Sequence, residues 1–70
     1  MTTEELRERL DLAMNSKPIF YRVGQFVFNY IDFEFGVADA VKYEDGVDCS
    51  YDDAKVEDFI ECAARRIKDI

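Results

Sequence analysis

Residues 40–51 read Ala40-Val41-Lys42-Tyr43-Glu44-Asp45-Gly46-Val47-Asp48-Cys49-Ser50-Tyr51, and their conformation decides the architecture of the 70-residue chain. Glu44-Asp45-Gly46 has the form of a three-residue hairpin loop, with Gly46 at the left-handed position such loops favour. Pairing across it sets Tyr43 opposite Val47, Lys42 opposite Asp48 and Val41 opposite Cys49, so apolar meets apolar and base meets acid. A two-residue Asp45-Gly46 loop would set Tyr43 against Asp48, a poorer match. The rival reading is a short helix around Val37–Val41, with Val37, Ala40 and Val41 as its apolar face. The pairing favours the hairpin and an α+β fold; the rival would give a miniature all-α domain of four helices.

Upstream, the stretch from Ile19 to Phe35 has the composition of a strand but the period of a helix. Wound as a helix, Arg22, Gln25, Asn29 and Asp32 form a narrow polar stripe, with Phe20, Val23, Val27, Tyr30 and Ile31 on the far side. As a strand, neither face would be clean. The expectation is a central helix from Ile19 to Phe33, apolar over more than half its circumference, with Val27, Tyr30 and Ile31 buried and Gln25 and Asn29 more exposed. Gly24 inside it weakens the helix and marks a close approach by another element. Gly36 is its C-terminal stop.

The N-terminal helix opens on a capping box, Thr2-Thr3-Glu4-Glu5. Leu6, Leu10, Ala13 and Met14 share one face, and Asn15-Ser16-Lys17-Pro18 ends it, because Pro18 disfavours helical geometry at Lys17. Asp52 or Asp53 caps a last helix, whose stripe is Val56, Phe59, Ile60, Ala63, Ile67 and Ile70. Arg65, Arg66 and Lys68 sit where the helix dipole favours positive charge. The expected order is helix, helix, hairpin, helix, in one domain over residues 1–70. A chain this short is marginal without a rich core. Seven of its ten aromatic residues fall between Phe20 and Phe35, which argues for a folded chain despite a net charge of −7.

That charge is concentrated. Asp32, Glu34, Asp39, Glu44, Asp45, Asp48, Asp52 and Asp53 share their segment with one base, Lys42, so the segment carries the whole −7 and the remainder is neutral. Such a field repels nucleic acid and anionic membrane and attracts basic protein surfaces. The plainer reading is that the acids keep the hairpin soluble and guard its edges. Arg22, Gln25 and Asn29 form a second candidate surface, and Tyr21, Tyr43 and Tyr51 are candidate anchors beside it.

Catalysis finds little support. There is no histidine, so the usual group titrating near neutral pH is missing. An EF-hand needs acids two and four residues before Asp45, and none stands there. Cys49 and Cys62 lie 13 apart without further strong metal ligands. Cys49 is flanked by Asp48 and Asp52, which disfavour a thiolate, and Cys62 has no base, so both read as packing residues. No catalytic residue, metal or cofactor is expected. No apolar run is long enough to cross a membrane, the acidic N-terminus is unlike a secretory leader, and free thiols fit a cytoplasmic protein.

Arg22-Val23-Gly24-Gln25-Phe26-Val27-Phe28-Asn29, followed by Asp48-Cys49-Ser50-Tyr51-Asp52-Asp53, resembles a group of small proteins of bacteria and their phages. In these an Arg-x-Gly-Gln-x-x-x-Asn segment precedes an acidic tyrosine-containing segment and a final helix. The resemblance runs from Tyr21 to the end. It implies a phage or prophage accessory setting and no mechanism. The expectation is a non-enzymatic interaction module that binds a protein of basic surface through Asp32–Asp53. The rivals are a nucleic-acid mimic that blocks a DNA- or RNA-binding protein, and a homo-oligomeric structural protein with exposed aromatics.

Overall fold

The computed structural model describes residues 1–67. It contains four helices: α1 (Thr3–Met14), α2 (Val23–Phe35), α3 (Ala38–Glu44) and α4 (Val56–Arg66), the last entered through a 3₁₀ turn, Asp53–Lys55. No strand occurs among the described residues. The α+β expectation is therefore overturned: residues 38–44 are helix, and residues 47–52 form an irregular arm.

The reason lies in how the backbone groups are satisfied. An isolated two-stranded ribbon is marginal in water. As a helix, residues 38–44 bury Ala38 and Val41 from one face. Gly46 does adopt a left-handed conformation, with φ +73°, but it follows a helix instead of closing a hairpin. It lets the Val47 amide turn back to the Val41 carbonyl at 3.2 Å. The chain still reverses, so Lys42 Nζ comes 3.7 Å from Asp48 Oδ2, and Val41 and Cys49 are both buried. The side-chain matches expected of the hairpin are made by a different backbone.

The central helix begins later than its polar stripe implies. Pro18–Tyr21 is a tight turn, with the Tyr21 amide donating to the Pro18 carbonyl and Lys17 Nζ donating to the carbonyls of Pro18 and Tyr21. Ile19 and Phe20 point into solvent, 95% and 82% exposed. Arg22 is the extended N-cap of α2, and its side chain reaches the distant arm. Val27 and Ile31 are buried as expected, Tyr30 and Gln25 are half-buried, and Asn29 is exposed. Gly36, at φ 69°, ends the helix.

The start of α1 follows the sequence closely, whereas α4 has Lys55 as its N-cap, with no side-chain cap of its own, and ends before Ile67. Thr2 Oγ1 accepts from the Glu5 amide and Glu5 reaches back to the Thr2 amide, completing the capping box. Asp52 caps the 3₁₀ turn by accepting from the Ala54 amide at 3.0 Å. The core gathers Leu6 and Leu10 of α1, Val27 and Ile31 of α2, Ala38 and Val41 of α3, Cys49, and Phe59, Ile60, Ala63 and Ala64 of α4. Helix α4 touches the other three helices, and an Arg7–Glu57 ion pair links it to α1. Ile70 and Lys68, expected on its stripe and in its basic end, lie outside the described residues.

Candidate functional site

Gly24 is where the arm docks. A Cβ on Gly24 would stand 1.9 Å from the Cys49 carbonyl oxygen and 2.9 Å from Asp53 Oδ1, so only glycine permits this approach. Four hydrogen bonds hold the arm there. The Gly24 amide donates to Asp53 Oδ1 at 2.9 Å, the Cys49 thiol donates to the Gly24 carbonyl at 3.2 Å, and the Arg22 guanidinium donates to the Ser50 and Tyr51 carbonyls at 3.0 and 3.3 Å. Arg22 also lies over the Tyr51 ring, 5.8 Å from its centroid. α2 has no cap from its own N-cap side chain. Asp53 supplies one from a distance, placing a carboxylate at the positive end of the helix. The Arg22–Asn29 and Asp48–Asp53 segments are thus halves of one structural joint.

This joint fixes the fate of the two thiols. Burial, helped by the Asp48 charge, pushes the Cys49 thiol up to about 12. It stays protonated and serves as a donor. Cys62 is half-buried, and both cysteines are free. A disulfide-exchange reagent at pH 8 is therefore expected to modify one thiol in the native protein and the second only on unfolding. Two equally fast equivalents would contradict the docked arm.

Most of the acidic segment is occupied internally. Arg66 binds Asp45 through both carboxylate oxygens at 2.8 and 2.9 Å and approaches Glu44 at 3.8 Å. The Arg66 hydrogen bond holds the Asp45 carboxyl below its usual range. Burial pushes the Asp48 carboxyl up, but bonds from the Ser50 hydroxyl and amide, with Lys42 nearby, leave it lowered. Asp52 and Asp53 cap backbone amides. Asp32, Glu34 and Asp39 differ: all three are exposed, and none makes a hydrogen bond or ion pair among the described residues.

Those three acids lie on either side of the turn from α2 into α3. Asp39 lies in the first turn of α3, where a carboxylate is favourable, but Asp32 and Glu34 lie at the C-terminal end of α2 with no base in its last turn. There they oppose the helix dipole. Phe33 stands between them, 87% exposed. Sequence reasoning named Asp32 and Glu34 but missed Phe33. The available signal was its i, i+4, i+7 spacing with Phe26 and Tyr30.

The second candidate surface is divided. Arg22 is committed to the arm, Gln25 is half-buried and Asn29 is exposed. Of the proposed anchors, Tyr43 and Tyr51 are exposed, while Tyr21 is half-buried beside Phe20. A concavity of about 400 Å³ is lined by Asp45, Cys62, Arg65 and Arg66, its carboxylate already held by Arg66. Among the described residues no group of three or more Cys, Asp or Glu could hold a metal ion, and no helix is long and apolar enough to cross a membrane. No family model, curated protein or solved structure matches the chain.

Proposed function

We propose that this chain is a non-enzymatic interaction module that binds a protein of basic surface through the α2–α3 corner, as an accessory protein of the phage or prophage kind its two motif segments resemble. It acts in the cytoplasm, where two free thiols persist. The observation that carries the reading is the unpaired state of Asp32, Glu34 and Asp39 in an acidic segment whose other members are bonded. Asp32 and Glu34 oppose the local dipole and do nothing for the fold, which favours a role outside it. The same occupancy disfavours a nucleic-acid mimic, because the bonded acids are not free to imitate a row of phosphates.

The test is a double variant, Asp32→Asn with Glu34→Gln. It is expected to melt at or slightly above the parent temperature, since charge is removed from the negative end of α2. It is also expected to recover much less partner in affinity capture from a host lysate at low salt. Capture of the same proteins in the same amounts by both forms would sink the reading.

A further inference from the structure

We propose that the row Phe26, Tyr30 and Phe33 on the outer face of α2 seats a basic amphipathic segment of the partner, with Phe33 as the apolar anchor and Asp32 and Glu34 receiving its lysines or arginines. This deepens the functional reading above and rests on it.

The row is built. Spacing i, i+4, i+7 puts the three side chains on one helix face. The Phe26 and Tyr30 rings lie 6.4 Å apart and 24° from parallel, and Tyr30 meets Phe35 edge-on at 6.3 Å. Phe26 and Tyr30 are half-buried, so Phe33 stands at the end of a supported aromatic row. A phenyl ring left in water forgoes the stabilisation of burial, which a domain of this size can ill spare.

Charge selects the occupant. Asp32 and Glu34 flank Phe33, each about 100° around the helix from it, and Asp39 follows across the turn. Arg9 lies over the Phe35 ring at 5.9 Å, and Phe35 meets Tyr30 in the middle of the row, whereas the residues on either side of Phe33 are both acids. A second copy of this chain would bring a net charge of −7 against −7, so the complementary occupant is cationic. Ile19, Phe20 and Tyr51 are exposed as well. Tyr51 lies under the Arg22 guanidinium, and Phe20, whose sequence neighbours Lys17 and Arg22 are basic, serves as the control.

The experiment titrates the ¹⁵N-labelled chain with a synthetic peptide of leucine and lysine at helical spacing, and with its leucine–glutamate counterpart. Shifts are expected at Phe26, Tyr30 and Phe33, with the lysine peptide only. Phe33→Ala should weaken binding about tenfold, as for an anchor residue, while Phe20→Ala leaves it unchanged, both variants remaining helical. Unchanged affinity in Phe33→Ala, shifts centred on Phe20 and Tyr51, or no binding overturns the seat. Where the seat fails but Asp32→Asn/Glu34→Gln still weakens the peptide, the acidic corner stands without Phe33; where neither variant matters, both fall. Dimerisation of the free chain that Phe33→Ala abolishes would assign the row to self-contact and overturn the proposal.

Discussion

Gly24→Ala is expected to be among the most damaging single substitutions in the chain. The added methyl would lie 1.9 Å from the Cys49 carbonyl oxygen, a backbone atom that no rotamer change can move. Relief requires the arm to lift, which stretches the Gly24–Asp53 and Cys49–Gly24 bonds together. A loss of about 3 kcal/mol is expected, at the upper end of overpacking costs. Gly46→Ala is the comparator. Nothing lies within 4 Å of its Cβ position, so it meets only the backbone penalty of a left-handed residue, about 1 kcal/mol. Urea midpoints read both. Equal shifts for the two variants would show that the arm does not pack on Gly24.

Phe59→Ala is expected to be at least as costly. Phe59 is fully buried on α4 and meets the Phe28 ring at 5.4 Å, while Lys42 Nζ covers the other partner of that pair at 6.0 Å. Truncation removes the largest fully buried side chain of the core and leaves a cavity in a helix that touches all three others. The expected loss is about 3–5 kcal/mol. A domain of this length has roughly 4–10 kcal/mol in all, so the variant should be substantially unfolded at 37 °C. Thermal unfolding followed by circular dichroism checks it, and an unshifted melting curve would remove Phe59 from the core.

How much of this was legible in the sequence differs from residue to residue. Helix ends were read well where a side chain or a glycine acts locally: Thr2 with Glu5, and Gly36, behave as their chemistry dictates, while Asp52 caps the 3₁₀ turn that precedes α4 and not α4 itself. The close approach at Gly24 was also legible as a glycine in an otherwise helical period, although its partner, the Cys49 carbonyl, lies 25 residues away. Gly46 misled because a left-handed glycine closes a hairpin loop and a helix end equally well. The Lys42–Asp48 match misled for a similar reason. Any chain reversal at Gly46 brings them together, whatever the backbone on either side. Arg22 lengthened the polar stripe by a turn, since sequence cannot separate a solvated arginine from one reaching the carbonyls of Ser50 and Tyr51.

The candidate site was half visible. The acidic segment stood out by composition, yet the division between bonded and unpaired acids depends on where Arg66, Lys42 and Gly24 arrive in space. Phe33 was hidden by the apolar character of α2 itself. A helix apolar over most of its circumference needs neighbours on every side, and a 70-residue chain supplies too few. The uncovered side then becomes surface, and the residues on it are those the core does not reach.

The steering of a basic partner by the α2–α3 corner, as proposed, is read from association rates with the captured partner across ionic strength, for the parent and for Asp32→Asn/Glu34→Gln. The parent is expected to associate fastest at low salt and to slow steeply as salt rises, with the variant slower at low salt and its dependence flattened. Identical rates and identical salt slopes for the two proteins would contradict it.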